Sequence, residues 1–235
     1  MRRRSRRAGN FPRDRACFTV RAARQSRLLA IPSLPLATDA FILAKRPSSD
    51  AFQGFSAFSP SQGLLLILQR LSRKSAASAT PLDLFDEVAL LLESPNQGQT
   101  WFVKEARLVQ RSAGIGTSYE TLRLASALAN LIVRNPVPEE SRPAVAGLLR
   151  TAFAAFASDP RPDIVYFKSL YRFARDEGYP LKQHWFPTLP AADRATVAAL
   201  VNQPLAGQTA PAAEVTRLLR RLEEYLRGHS EILLE

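Results

Sequence analysis

The chain has 235 residues, of which 46% are hydrophobic and 23% are charged, proportions typical of folded globular proteins. No uninterrupted run of about 18 apolar residues occurs, which argues against a membrane-spanning helix. The single cysteine, Cys17, excludes an internal disulfide framework and a thiolate metal site within one chain.

The net charge of +11 is concentrated in residues 1–36, which carry ten basic groups and one acid and leave the rest of the chain nearly neutral. This segment has neither helical nor strand periodicity, and we predict that it is disordered. Two interpretations remain open. It is either an artefact of start-site assignment, with the true start near Leu34 or Leu36, or a basic extension that attracts DNA phosphates without sequence preference. Its Arg-rich, acid-poor composition is also compatible with an organellar transit peptide.

From residue 37 to about residue 115, short apolar runs alternate with turn-forming residues and predict β-structure. Closure into a barrel would remove the exposed edges of such short strands. The number and order of the predicted strands are those of an OB-fold, while a plain five-stranded sandwich and an SH3-like barrel remain alternatives. The predicted strands are Thr38–Arg46, Phe52–Phe58, Gly63–Gln69, Leu82–Glu93 and Thr100–Arg111.

After Gly116 the apolar period changes to that of helices, which predicts an all-helical domain over residues 116–235. Thr117-Ser118-Tyr119-Glu120 has the pattern of a capping box, and Gly114-Ile115-Gly116 is expected to be a flexible turn between the two domains. The expected fold class is therefore α+β, with an N-terminal five-stranded OB-fold barrel followed by helices. Five helices are predicted, marked by Leu124–Ile132, Val145–Phe156, Ile164–Ala174, Val197–Val201 and Val215–Leu226.

No recognisable enzyme site is present in the sequence. A metal site needs three or four converging ligands, and His184, His229 and Cys17 are too few. The segment Gly54–Phe58 lacks the closing glycine of a G-x-S-x-G elbow. Tyr119 stands where a dinucleotide-binding fingerprint beginning at Gly114 would need its third glycine. We predict a protein that is not an enzyme and uses no metal or cofactor.

Basic residues at several strand ends of the predicted barrel could converge on one groove, where cations track phosphates and aromatic rings such as Phe55 or Trp101 stack on bases. The alternative is a scatter of solvated charges, because the net charge of this region is close to neutral. The candidate DNA-binding residues are Lys45, Arg46, Arg70, Arg73, Lys74, Lys104, Arg107 and Arg111.

Several segments, taken in order, resemble the bacterial RecO family of recombination mediators. The resemblance runs from about Thr38 to the C-terminus and depends more on the order of elements than on any one string. The segments are Thr38–Leu43, Phe58–Leu65, Gln69–Ser75, Leu82–Glu87, Val103–Ala106 and Tyr166–Pro180.

This resemblance implies an OB-fold and a helical domain that bind single- and double-stranded DNA and anneal complementary strands during DNA repair and homologous recombination. It also implies docking of the acidic, Phe-ended tail of the single-stranded-DNA-binding protein, cooperation with RecR in loading RecA, and a cytoplasmic, nucleoid-associated location. The four-cysteine zinc motif of many members is missing here. Lys168, Arg172 and Arg175 are candidates for pairing with the acidic tail, and the alternative is that they are solvated charges on a helix surface. No membrane or small-molecule substrate is expected. The alternative function is a protein-interaction scaffold whose barrel has no nucleic-acid role.

Overall fold

The structure is a computed structural model that describes residues 35–49, 51–71, 81–95 and 98–234. Residues 1–34 of the predicted basic extension therefore lie outside the described residues. The α+β class is confirmed, because a five-stranded sheet precedes a helical region. The strands are β1 (Leu36–Lys45), β2 (Phe52–Ser59), β3 (Gly63–Arg70), β4 (Glu87–Glu93) and β5 (Trp101–Gln110). The helices are α1 (Tyr119–Arg134), α2 (Arg142–Ser158), α3 (Pro162–Asp176), α4 (Ala191–Asn202) and α5 (Ala212–His229).

Each strand pairs with two neighbours, and the sheet closes in the order β1-β2-β3-β5-β4. The β3–β5 pairing is parallel and joins Ile67 to Trp101 and Leu68 to Phe102, whereas the other four pairings are antiparallel. Alternate side chains of every strand point inwards, and a small interior core forms around Ile42, Phe55 and Val88.

The fourth predicted strand is correct in its second half only, because Leu82–Asp86 forms a turn rather than a strand. Its two aspartates explain the turn, since short acidic side chains compete with ladder hydrogen bonds. The Asp83 amide donates to Asp86 Oδ2 at 3.1 Å, and the Leu84 amide donates to Asp83 Oδ1 at 2.8 Å. Phe85 adopts a φ of 64° there and donates its amide to the Ile42 carbonyl at 2.8 Å.

The described strands and helices share a second, larger core and belong to one compact unit. The outward rings of Phe41 and Phe85 meet Phe153 of α2 edge to face, with centroid distances of 6.3 and 5.1 Å. Such pairs add specific attraction to the burial of apolar area. The outer face of β1 and β2 that the helices cover is therefore part of the main core.

Gly114-Ile115-Gly116 is not the flexible turn that was predicted. It forms a short 3-10 turn, Ala113–Thr117, in which Ile115 is fully buried. A Cβ on Gly114 would lie 2.1 Å from the Ala157 carbonyl oxygen, so glycine permits the backbone of α2 to approach this closely. The segment is a packed junction between β5 and α1.

The helix ends follow the local chemistry of the sequence, with two corrections. Ser118, rather than Thr117, is the N-cap of α1, and its side chain accepts a long hydrogen bond from the Thr121 amide at 3.5 Å. Gly178, at φ 89°, follows α3 as predicted. Helix α5 continues through Gly228 to His229. Among the described residues, no helix is both long and apolar enough to cross a membrane.

Candidate nucleic-acid interface

The ends of β2, β3, β4 and β5 form an open cavity of about 560 Å³ whose lining includes two aromatic rings, two cations and one acid, Glu93. Phe52 pairs with Arg70 across the antiparallel β2–β3 ladder. The parallel β3–β5 pairing begins next to this point, and it places Phe102 and Lys104 on the other side of β3. Residues far apart in the sequence are thereby brought to one rim of the barrel.

The two rings belong to Phe52 and Phe102, which meet edge to face with centroids 5.3 Å apart and an interplanar angle of 73°. Both are partly exposed. Of the two predicted stacking residues, Phe55 is wrong because it is 1% exposed inside the barrel, whereas Trp101 is partly exposed and packs against the same interior core. Side-chain alternation explains the error, because Phe55 lies on the opposite face of β2 from Phe52.

The cations at this cavity differ in how firmly they are held. Arg70 is exposed and forms no ion pair within the described ranges. Lys104 lies 2.7 Å from Glu93, and both side chains are about half exposed. An exposed pair of this kind contributes little to stability, so Lys104 can exchange Glu93 for a phosphate at small cost.

Arg46 lies next to this rim, on the outer face of β2. Its Nε donates to Ser56 Oγ at 2.9 Å, and its backbone amide donates to the Gly54 carbonyl at 2.8 Å. Of the eight predicted DNA-binding residues, Arg46, Arg70 and Lys104 therefore lie at or beside one end of the barrel.

Lys45 and Arg111 instead fasten the turn that precedes β4. Lys45 lies 2.7 Å from Asp83, and this hydrogen-bonded pair holds the pKa of the Asp83 carboxyl below its ordinary value. Arg111 makes two hydrogen bonds to the buried Asp86 carboxylate, at 3.1 and 2.8 Å, and these raise the pKa of its guanidinium. Arg111 is held by a buried carboxylate, whereas the Lys45–Asp83 pair is about as exposed as the Lys104–Glu93 pair and can likewise exchange its acid for a phosphate.

Arg107 lies apart from the other cations, in a second open cavity with Asp39 and Glu105 among its lining residues. The two acids there do not favour an anionic ligand. Arg73 and Lys74 lie outside the described residues.

The three predicted partner-binding residues line one cavity of about 230 Å³ between α2, α3 and α4. Its walls are mainly apolar, with Leu148, Ala152 and Val165 among them, and Arg172 and Arg175 also line it. Both arginines are about half exposed, and both are near Asp176, at 3.5 and 2.6 Å respectively.

Lys168 has a structural task at this cavity. Its ammonium donates to the carbonyls of Leu200, Val201 and Gln203 at 2.9, 3.3 and 2.6 Å, at the C-terminal end of α4. Burial lowers the pKa of this ammonium. Because an ammonium has only three N–H groups, all are occupied, and Lys168 holds α4 against α3.

Neither a protein-family model nor a curated protein sequence matches this chain. Within the residues that the structure describes, no group of three or more His, Cys, Asp or Glu side chains is arranged to hold a metal ion. The geometry at the barrel rim and at the α2–α4 cavity therefore provides the basis for a functional assignment.

Proposed function

We propose that this chain is a DNA-binding recombination mediator of the RecO type, in which an OB-fold barrel binds single strands at the β2–β3–β5 rim. The observation that carries the proposal is the convergence of Phe52, Phe102, Arg70 and Lys104 on one cavity. Rings that stack on bases beside cations that track phosphates are the usual means of binding single strands.

The strand order supports the OB-fold part of the proposal. A closed sheet ordered β1-β2-β3-β5-β4, with one parallel pairing between β3 and β5, is the arrangement expected of an OB-fold. The rim cavity also lies where OB-folds bind oligonucleotides, on the strand 2–3 face next to the β4–β5 connection, since Ser94 and Pro95 line it.

The α2–α4 cavity supports the partner-binding part. A mainly apolar cavity whose lining includes Arg172 and Arg175 suits a peptide that ends in an aromatic residue and carries nearby carboxylates. The resemblance to RecO points to the tail of the single-stranded-DNA-binding protein as this peptide. We assign its recognition to Arg172 and Arg175, with Lys168 supporting the cavity through α4.

Strand annealing distinguishes a mediator from a general DNA binder. We expect the full chain to accelerate annealing of complementary oligonucleotides coated with the single-stranded-DNA-binding protein, and to do so less well when the coating protein lacks its acidic tail. Arg172→Gln with Arg175→Gln should have the same effect as tail removal, whereas Arg194→Gln, on α4 and outside the cavity lining, should not. Equal annealing with and without the tail would contradict the mediator assignment.

A further inference from the structure

The outward side of β3 carries three leucines in alternate positions, Leu64, Leu66 and Leu68, which we call the leucine face. Leu64 is 47% exposed and Leu66 is 41% exposed, while Leu68 is partly covered. The intervening Leu65 and Ile67 fill the barrel interior. A row of leucines on one face of a strand is a contiguous apolar surface, which is unlike the single exposed leucines common on proteins.

A cation borders the leucine face, and the hairpin carries no acid to neutralise it. Ser56 and Gly54 lie directly opposite Leu66 and Leu68 in the β2–β3 ladder. The Arg46 side chain covers both positions, since its Nε bonds to Ser56 Oγ at 2.9 Å and a Cβ on Gly54 would meet its Cβ at 3.1 Å. Residues 51–71 contain neither Asp nor Glu, and Arg46 forms no ion pair with any described residue.

A second arginine reaches the other end of the strand. Arg142 Nη1 donates to the Ser61 carbonyl at 3.0 Å, and its side chain lies against Gly63, next to Leu64. Its Nε is buried without a hydrogen-bond partner. The leucine face therefore has apolar side chains in its middle and a cation near each end. We expect its ligand to be apolar in the middle and negatively charged at the ends.

The aliphatic character of the leucine face favours a protein over a nucleic acid. Bases bind to aromatic rings through stacking, and here the rings of Phe52 and Phe102 lie beyond the leucines at the rim. Leucine offers only apolar area, which matches apolar side chains of another chain, and cations at its borders match carboxylates. We propose that the leucine face docks a segment of a partner protein that presents apolar side chains flanked by carboxylates. Leu64 and Leu66 lie outside both the rim cavity and the α2–α4 cavity, whereas Leu68 also lines the rim cavity.

The proposal can be tested with the full chain and a defined peptide of alternating Leu and Glu, about eight residues long, whose leucines lie on one side when it is extended. A peptide of alternating Ser and Glu has the same charge and serves as its control. By fluorescence anisotropy we expect the Leu-Glu peptide to bind at least about tenfold more tightly than the Ser-Glu peptide. Equal binding of the two, or no binding of the Leu-Glu peptide, overturns the proposal.

Point variants test whether the Leu-Glu peptide binds at the leucine face. Leu64→Ser with Leu66→Ser should weaken Leu-Glu binding by about tenfold or more, and Arg46→Gln should weaken it by about threefold and reduce its salt dependence. Leu122→Ser is the matched control, because Leu122 is 38% exposed on α1. These changes are at exposed positions, and circular dichroism should show an unchanged fold. Unchanged peptide binding in the Leu64 and Leu66 variant contradicts the proposal.

Two further measurements separate the other possible occupants. If the Leu64 and Leu66 variant lost affinity for a single-stranded oligonucleotide as strongly as an Arg70 and Lys104 variant, the leucine face would be part of the DNA surface. If the wild-type chain sedimented as a dimer and this variant as a monomer, the face would join two copies of the chain. Either result overturns the proposal, whereas a monomer with unchanged oligonucleotide affinity supports it.

Discussion

Arg150 on α2 binds the carboxylate of Glu87 on β4, with its Nε 3.0 and 3.2 Å from the two carboxylate oxygens and its Nη2 on the same group. Glu87 is buried, while the Arg150 side chain is 53% exposed and lies over the Phe41 ring. The pair fastens the helical region to the sheet beside the Phe41, Phe85 and Phe153 contacts. Sheet and helices therefore share one hydrophobic core, and substitutions at their contact should lower the stability of the protein.

Replacing Arg150 with Met should lower the free energy of unfolding by about 2 kcal/mol, because it leaves the buried Glu87 carboxylate without its charged partner. Arg123→Met is the control, since Arg123 and Glu120 are both about half exposed and their pair should contribute about 0.5 kcal/mol. Urea unfolding followed by circular dichroism measures both. A cost for Arg150→Met no larger than for Arg123→Met would show that the pair does not anchor the helices.

The two glycines of the β5–α1 junction should respond in opposite ways to a methyl group. A Cβ at Gly114 collides with the Ala157 carbonyl, whereas a Cβ at Gly116 meets nothing within 4 Å. Gly114→Ala should therefore destabilise the protein by about 1–3 kcal/mol, and Gly116→Ala should have almost no effect. Thermal unfolding of the two variants checks this. If the Gly114→Ala and Gly116→Ala variants were equally stable, the junction would be the flexible turn that its sequence suggests.

Glu177 should make stability depend on pH in the acid range. Its Oε1 is buried without a hydrogen-bond partner, and burial, with Asp176 and Glu140 nearby, raises the pKa of its carboxyl above the ordinary value of 4.5. The folded state thus favours the protonated form, and the ionised form is destabilising at pH 7. Glu177→Gln should raise the melting temperature by about 2 °C at pH 7.

The gain from Glu177→Gln should disappear as the pH falls below the ordinary carboxyl pKa, because Glu177 is then protonated in both the folded and unfolded states. Differential scanning calorimetry at pH 7 and at about pH 4 tests this. Glu224→Gln, at an exposed position on α5, is the control. A stabilisation of the same size at both pH values would contradict a role for ionisation.

Much of the fold could be predicted from local pattern, but the residues of the candidate site could not. The spacing of apolar residues and the turn-forming residues between them locate the strands and helices. Gly178, for example, correctly marks the end of α3. The spacing of Phe52, Phe55 and Phe58 does contain a missed signal, since alternation puts Phe52 and Phe58 on one face of β2 and Phe55 on the other. Reading that alternation would have excluded Phe55 as a stacking residue.

The remaining errors come from contacts between distant parts of the chain. The parallel register that joins Leu68 to Phe102, and so brings Lys104 to Arg70, has no local signature. Likewise, nothing near Gly114 in the sequence indicates that Ala157 will pack against it, and nothing near Lys168 indicates that the end of α4 will occupy its ammonium. In the same way, nothing near Arg111 in the sequence indicates that the buried Asp86 carboxylate will occupy its guanidinium.

The most direct test of the account is a salt titration of oligonucleotide binding with the full chain and point variants at the rim. The affinity of the wild-type chain for a single-stranded oligonucleotide should fall as the salt concentration increases. The double variant Arg70→Gln with Lys104→Gln should bind more weakly. Its slope of log affinity against log salt should be smaller by about 1.4, which is about 0.7 for each lost phosphate contact. Arg107→Gln, in the cavity with Asp39 and Glu105, should leave the slope unchanged. Salt-independent binding, or a rim variant with wild-type affinity and slope, would contradict the assignment of the rim as the DNA interface.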